Sequence, residues 1–557
     1  MNVIRDRRYD AIRHASDVYS PQEMAGFRAS GLWRDAVLTD FLSRHAAERP
    51  DAVAVVTDTG DRATWRELAD AVDRLASGFI ALGLEPGDFV GVQLPNSLEF
   101  VVTYLAIQRA GLRAMTMLTI YREKDVTFML NKCGAKAYVA FAEHHRFDFE
   151  AMIGAIRSDV PSLEHVVLVR GSGSGATVDF DALGSTSPLG SETLAGLRPD
   201  PDAISKVNFT SGTTGSPKGV VHTHNTDLVP PLLMQRAVGL GPETPIWMPS
   251  PIAHVTGLLF GPYAALLNGA KLVLQDAWDP VRALELISTE RPFVTVSATP
   301  FIAAMLEVPD RADYDVSSFK YFVSGGARIP QILVQRARDE FGWYLLRVFG
   351  SAEAPLHTAN LPGDPWEKMI DRDGRPFPGV ESQIVDPDDH SRVLPPGEQG
   401  EYRTRGPHVF LGYLDDPDRT WEARSADGWY SSGDICLIDD DGFVQYIDRI
   451  KDIVNRGGIK ISALEVENEL VAHPAIQQAA VVAVPDERLG EKGCAFVVLR
   501  PGSSVTLEEI SRHLESRHVT RQKWPEVLRI VESFPTTATG KVRKIDLRAA
   551  YEAEETA

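Results

Sequence analysis

The sequence predicts an α/β protein: a large N-terminal domain of two layered α/β subdomains plus a β-rich subdomain, followed by a small α+β domain. Three observations carry this. Short apolar runs alternate with amphipathic stretches of helical spacing from Ala52 to Phe349, the pattern of strands and covering helices around a largely parallel sheet. From about residue 377 glycine, proline and aspartate become dense and the runs between them shorten, which reads as tight turns in a β-rich region. Finally, 557 residues exceed what one compact core holds.

Taken in order, residues 1–35 read as an irregular entry with a short helix opening at Pro21-Gln22-Glu23-Met24. Val37, Leu38, Phe41 and Leu42 repeat at helical spacing over 36–49. Ala52–Val56 is a strand, and Thr64 caps a helix carrying Trp65, Leu68, Val72 and Leu75. Phe89–Leu94, Lys136–Phe141 and His165–Val169 are strands, with a helix at Ser97–Ala110. Gly171-Ser172-Gly173-Ser174-Gly175 has dinucleotide-loop spacing, but Val178-Asp179-Phe180-Asp181 follows instead of an amphipathic helix. Residues 171–189 are therefore expected to form a flexible surface loop.

A second run of β–α units follows, with helices at Thr226–Val238, Gly257–Leu267, Pro280–Thr289 and Pro300–Leu306. Its strands are Pro245–Met248, Lys271–Leu274 and Val294–Val296. The β-rich part covers about 377–448 and the boundary falls at Arg449-Ile450-Lys451, so the domains are 1–450 and 451–557. The latter holds helices at Ala463–His473 and Leu507–Arg517 and strands near Ala479–Val484, Cys494–Leu499 and Val527–Val531.

Composition narrows the function. The net charge of −20 disfavours nucleic acid or an anionic membrane as a general partner. Cys133, Cys436 and Cys494 are far apart and form no metal or disulfide pattern. The charged N-terminus lacks the apolar run of a secretory signal, and no stretch approaches the ~20 apolar residues of a membrane span. A cytoplasmic location is expected.

The chain is organised around Thr210-Ser211-Gly212-Thr213-Thr214-Gly215-Ser216-Pro217-Lys218-Gly219. Small residues let backbone N–H groups approach an anion, hydroxyls add donors and Lys218 adds charge, so the composition suits a polyphosphate-binding loop. Its setting is a loop between two strands. It is not a G-x-x-x-x-G-K-[ST] loop, because the second required glycine would fall on Pro217. The simpler alternative is a flexible polar turn.

Six further stretches have ordinary readings when taken singly. Pro249-Ser250-Pro251-Ile252-Ala253-His254-Val255-Thr256-Gly257 sets a histidine between a strand end and an apolar helix, where a cap or core role is common. Ser324-Gly325-Gly326-Ala327 fits any glycine-rich turn. Phe349-Gly350-Ser351-Ala352-Glu353 puts an aromatic, which can stack on a purine, beside a carboxylate, which can hold Mg²⁺ against phosphate oxygens. Trp429-Tyr430-Ser431-Ser432-Gly433-Asp434 is a turn with an aspartate, and Asp448 to Lys460 is a charged linker with a Gly457-Gly458 turn. Pro535-Thr536-Thr537-Ala538-Thr539-Gly540-Lys541 would ordinarily present a solvated lysine.

Together and in this order, the stretches resemble the motifs of the adenylate-forming superfamily: acyl- and aryl-CoA ligases, luciferase-like enzymes and peptide-synthetase adenylation domains. The resemblance implies an AMP-forming acid–thiol ligase using ATP, Mg²⁺ and coenzyme A, with a mobile C-terminal domain. It implies that Thr210, Ser211, Gly212, Thr213, Thr214, Gly215 and Lys218 hold phosphate. Gly325, Gly326, Ala327, Phe349, Gly350 and Ser351 would line the nucleotide, and Glu353 would hold Mg²⁺. Asp434 would accept from the ribose hydroxyls, and Arg449 would lie on the ribose and phosphate side. Lys451 would be the hinge, Gly457 and Gly458 the coenzyme A channel, and Lys541 the catalytic lysine of adenylation. His254, Val255 and Gly257 would form the acyl pocket, with His254 beside the reacting carboxylate as a catalytic and gating group.

One departure is Ala352, where the family pattern has threonine before the glutamate; some aryl-acid-activating relatives share Ala-Glu. Ligases for dihydroxybenzoate usually carry asparagine directly after the histidine, where this chain has Val255. Together with Gly31-Leu32-Trp33, Ser297-Ala298-Thr299-Pro300-Phe301 and Asp486-Glu487-Arg488-Leu489-Gly490-Glu491, this resembles bacterial short- and medium-chain acyl-CoA ligases and their alicyclic-acid relatives. The expected substrate is a medium-chain or cyclohexanecarboxylate-like acid. Benzoate-type acids, and a freestanding ligase that loads a carrier protein, are the alternatives. No carrier domain is expected after Lys541, and a homodimer is left open.

Overall fold

A computed structural model describes residues 12–171, 177–210, 217–326, 329–457, 459–536 and 542–556. The described residues fall into two compact units: those up to 210 with 217–382 and 404–430, and those of 383–403 with 431 onward.

The first unit holds two sheets flanked by helices. One runs, in spatial order, Gly412–Tyr413, Lys218–Thr223, Ile204–Thr210, Arg113–Thr116, Phe89–Gln93, Ala137–Phe141, His165–Val169 and Thr177–Asp179. From Ile204–Thr210 onward its neighbours are parallel. The other sheet has a parallel centre of Tyr344–Phe349, Tyr321–Gly325, Val294–Val296, Ile246–Met248, Leu272–Leu274 and Val53–Thr57. The first strand of the chain thus belongs to the sheet built mainly by the second run of β–α units.

Capping follows the sequence closely. Glu67 N–H donates to Thr64 Oγ1 at 3.3 Å while Thr64 N–H donates to Glu67 Oε2 at 2.8 Å, so the T-x-x-E pattern starts the helix Trp65–Ala81. Ser20 and Glu23 do the same for Pro21–Ala29. Ser97 caps Leu98–Arg109, a helix buried on nearly all sides. Two expectations are corrected. The glycine-rich stretch 172–176 lies outside the described residues; beyond it the structure has the strand Thr177–Asp179 and the helix Phe180–Gly184 where a surface loop was expected, because Phe180 and Leu183 are buried and Asp179 caps the turn. The expected helix Gly257–Leu267 is three pieces: α-helix Val255–Leu258, a π-helical turn Leu259–Tyr263 and α-helix Ala264–Asn268. Pro262 lies in the π turn; lacking an N–H and crowding the carbonyl before it, proline is accommodated by the wider coil.

The second unit holds most of a sheet of Asp389–Val393, Glu381–Asp386, Gly400–Arg405, Tyr430–Ile438 and Val444–Arg449. Beyond it, Ile476–Asp486 and Gly490–Leu499 form a long antiparallel pair. Val481, Ala483, Ala495 and Val497 pack on helices Ala463–Val471 and Leu507–Ser516. The alternate residues Val482, Val484, Cys494 and Phe496 pack with Leu547 and Tyr551 of the C-terminal helix. The period-two alternation of a strand covers both faces of one sheet. Among the described residues no helix is long and apolar enough to cross a membrane.

Candidate active site

Thr210 pairs with Lys218 at the end of the antiparallel ladder Ile204–Thr210/Lys218–Thr223, which sets the two ends of the phosphate-loop stretch side by side. The loop therefore joins two strands, as its setting implied. Ser211, Gly212, Thr213, Thr214 and Gly215 lie outside the described residues, as do Ala327, Gly458 and Lys541.

The ladder is anchored from beneath. Lys206 Nζ is 2.7 Å from Asp227 Oδ1 and both side chains are fully buried. Ser205 Oγ donates to Asp227 Oδ2 at 2.6 Å. Such a pair, out of water, holds its geometry because neither charge tolerates losing the other. On the neighbouring strand, His222 Nε2 is 2.8 Å from the Ala352 carbonyl. Burial, and then the Lys206 ammonium, lower the His222 imidazole to about 4, so the ring is neutral and donates that bond.

This bond reaches the turn that carries Glu353. Tyr413 Oη donates to Glu353 Oε1 at 2.7 Å, and Phe410 N–H donates to the Glu353 carbonyl at 2.7 Å. Lys218 Nζ lies 4.7 Å from the centre of the Tyr413 ring. Lys218, Tyr413 and Glu353 thus form one cluster, set by the pairing of Gly412–Tyr413 with Val220 and Val221. Burial and the Glu353 carboxylate push the Tyr413 phenol far up, so it stays a donor. Ser351 Oγ is 3.4 Å from Tyr430 Oη. A Cβ on Gly350 would sit 2.6 Å from the Pro355 carbonyl oxygen, and one on Gly325 would sit 2.3 Å from that of Val348, so the two backbones approach too closely for side chains. Gly326 adopts φ +83°, which favours glycine. Phe349 is only 9 % exposed and its ring meets His357 edge-on at 4.8 Å.

The histidine turn is held by residues that sequence reasoning missed. Asn96 Nδ2 donates to the carbonyls of Ser250 and Gln275, each at 2.9 Å, while Asn96 Oδ1 accepts from Ile252 N–H at 2.7 Å. Thr116 Oγ1 donates to the Ala253 carbonyl at 2.7 Å and accepts from Asn208 Nδ2 at 2.7 Å. Asn208 sits in the strand that ends at Thr210, so one hydrogen-bonded path joins that strand to the turn. His254 caps the helix Val255–Leu258, its Nδ1 facing Thr256 N–H at 3.4 Å, and is half-buried. A Cβ on Gly257 would lie 2.2 Å from the Pro251 carbonyl oxygen, so glycine is required where helix and turn cross. Asn96, Thr116 and Asn208 show no local motif; Tyr413 could have been found as a hydroxyl inside the apolar run Val409–Leu414, which needs a partner when buried.

In the second unit Asp434 faces Arg449 across the strand pair Tyr430–Ile438/Val444–Arg449, with Arg449 Nε 3.2 Å from Asp434 Oδ1. Asp434 is buried, and Ser432 Oγ and Glu401 Oε1 accept from the N–H groups of Asp434 and Gly433. Lys451 is exposed in the single 3₁₀ turn Ile450–Asp452, and Gly457 adopts φ +58°. The first unit therefore brings together Lys218 and Glu353 and ties them to the His254 turn, and the second brings together Asp434 and Arg449.

The family model described as AMP-binding enzyme matches residues 42–414, and that of the AMP-binding enzyme C-terminal domain matches 465–541. The chain is 38 % identical over 537 residues to the medium-chain fatty-acid–CoA ligase of Escherichia coli K12, covering 95 % of this chain and 93 % of the relative. It is 31 % identical over 536 residues to the vibriobactin-specific 2,3-dihydroxybenzoate-AMP ligase of Vibrio cholerae, covering 96 % and 97 %. Among solved structures, the anthranilate CoA ligase AuaEII in complex with anthranoyl-AMP superposes with a TM-score of 0.84 at 25 % identity, covering 95 % of this chain and all of that one. ATP-bound MatB from Rhodopseudomonas palustris gives 0.82 at 26 % identity, covering 93 % and 99 %. With a loop between antiparallel strands, a half-buried glutamate turn and matches along nearly its whole length, this chain belongs to the AMP-binding enzyme family of adenylate-forming enzymes.

Proposed function

We propose that this chain is an AMP-forming acyl-CoA ligase that activates a medium-chain fatty or alicyclic acid and passes the acyl group to coenzyme A. A carboxylate is a poor electrophile because its leaving group would be oxide. Its oxygen attacks the α-phosphorus of ATP, giving a mixed acyl–AMP anhydride and releasing pyrophosphate. A thiolate then attacks the acyl carbon, and AMP leaves. The protein needs mainly to align anions and balance charge.

Lys218 and the loop it closes would hold the phosphates. Glu353, an oxygen donor kept in place by Tyr413 and the Phe410 N–H, fits the hard-ligand preference of Mg²⁺. Bound there, Mg²⁺ would neutralise charge on the phosphate oxygens. Asp434 would accept from the ribose diol with Arg449 beside it, Lys541 would offset charge on the α-phosphate during adenylation, Lys451 would be the pivot between half-reactions, and Gly457 and Gly458 would flank the thiol approach. His254, held at a half-buried helix cap, would orient the substrate carboxylate.

The acyl preference rests on one observation: the residue after His254 is Val255, buried on an apolar turn between Ile252 and Leu258 rather than presenting a polar group to a catechol. The greater likeness to the medium-chain ligase than to the dihydroxybenzoate ligase supports the same reading. Ala352 favours a second reading, an aryl-acid ligase of benzoate type. Incubation with Mg·ATP, coenzyme A and butyrate, octanoate, palmitate, cyclohexanecarboxylate, benzoate or 2,3-dihydroxybenzoate distinguishes them. Coenzyme A-dependent AMP release is expected with octanoate or cyclohexanecarboxylate. Turnover with benzoate alone overturns the acyl assignment, and pyrophosphate release without thioester overturns coenzyme A as acceptor.

A further inference from the structure

Away from these residues, the hairpin Glu143–His144/Phe147–Asp148 brings two consecutive histidines against a carboxylate from a distant stretch of the same unit. His144 Nε2 is 3.4 Å and His145 Nε2 is 3.7 Å from the same oxygen, Asp276 Oδ2. The three ligand atoms lie within 4.8 Å of one another. Both separations exceed the roughly 2.7–3.2 Å of an N–H···O hydrogen bond. They approach the spacing of two ligands on one tetrahedral ion, about 3.3–3.5 Å when each ligand is ~2.0–2.1 Å from the metal.

The backbone and the surroundings favour the same arrangement. His145 and Arg146 take φ +49° and +64° at the hairpin tip, which sets the His145 ring beside that of His144. The two imidazole rings are 4.0 Å apart, and His144 stacks on Phe141 at 5.9 Å. Asp276 Oδ1 accepts from Asn96 N–H at 3.2 Å, which turns Oδ2 to the histidines. Asp276 N–H donates to Asp58 Oδ2 at 3.1 Å, adding a second carboxylate behind the first. Arg170, the nearby cation, pairs with Glu99 at 3.6 Å. The His145 side chain is 66 % exposed, leaving an entry path and room for a water as fourth ligand.

We propose that His144, His145 and Asp276 form a binding site for a divalent transition-metal ion of zinc type, distinct from the Mg²⁺ position proposed at Glu353. Two imidazoles and a carboxylate select zinc, cobalt or nickel over magnesium or calcium. The ion would clamp the hairpin to Asp276. Asp276 in turn holds Asn96, which holds Ser250 and Ile252 in the turn leading to His254.

The test needs neither nucleotide nor activity. Tag-free protein stripped with a chelator is divided, one portion being dialysed against Zn²⁺ alone and the other against Co²⁺ alone to read its visible ligand-field band. Wild type is expected to hold one ion per chain at this site and to melt at a higher temperature when it is filled. His145→Ala, at an exposed position, is expected to keep the wild-type circular dichroism spectrum, to bind at least about tenfold more weakly and to lose the cobalt band. Asp276→Asn should do the same. The only other described group of this kind, His14 with Asp200 and Asp202, supplies the control His14→Ala, which should leave binding unchanged. No binding by wild type, unaltered affinity in His145→Ala, or a loss that follows His14→Ala overturns the site.

Discussion

Tyr413→Phe tests whether the Glu353 cluster acts in adenylation. The substitution removes one atom and keeps the ring on which Lys218 rests, 4.7 Å away. What is lost is the 2.7 Å hydrogen bond to Glu353 Oε1. Tyr413 is 4 % exposed, so bulk water does not readily replace the hydroxyl. A hydrogen bond to a charged group contributes about 1.5–3 kcal/mol, and about 1.4 kcal/mol is a factor of ten. If Glu353 must be held to receive Mg·ATP, kcat/KM for Mg·ATP falls roughly ten- to a hundredfold. Pyrophosphate release at saturating acid measures this, with the KM for the acid expected to stay unchanged. Because Tyr413 acts through Glu353, the effects of Tyr413→Phe and Glu353→Gln should not multiply in the double variant. Wild-type kcat/KM in Tyr413→Phe, or fully multiplicative losses in the double variant, refutes the reasoning.

Three further outcomes follow from the same contacts. Asp227→Asn leaves the Lys206 ammonium buried without its counter-ion and should destabilise the fold by about 3–5 kcal/mol in urea unfolding, while Lys206→Met with Asp227→Leu should recover most of that; an unchanged midpoint in Asp227→Asn contradicts the pairing. His222 is held at about 4 against an ordinary 6.5, chiefly by burial, so the unfolded chain binds more protons between those values. Its contribution is present above pH 6.5 and lost as pH falls toward 4, and His222→Gln should flatten the fall of melting temperature over that window. Gly257→Ala forces a Cβ to 2.2 Å from the Pro251 carbonyl oxygen, and should cost about 1–3 kcal/mol and raise the KM for the acid more than that for ATP; unaltered stability and kinetics would mean the turn is not constrained there.

Local chemistry made much of this molecule legible in one dimension. Thr64 with Glu67 and Ser20 with Glu23 announce helix starts because the capping groups are three residues apart. The antiparallel strands on either side of the Gly, Ser and Thr run follow from the apolar residues that flank it. Residues 177–184 depart from the loop expectation because Phe180 and Leu183 are too few to show a helical period, and their burial together with the Asp179 cap makes the turn. The π turn at Leu259–Tyr263 was invisible because periodicity counts apolar positions and not the hydrogen bond that Pro262 cannot make.

The sequence by itself determined the fold class, through periodicity over a few residues at a time, and its short motifs in their order carried the resemblance to the family. Only the tertiary structure decided what holds those motifs. Asn96 reaches the turn before His254 across more than 150 positions, Tyr413 reaches Glu353 across 60, and Asp276 meets His144 and His145 from another strand's end. Hydrogen bonds and ion contacts act over a few ångströms of space whatever the separation along the chain, so a lone Asn, Tyr or Asp acquires its role only when folding brings its partner to it.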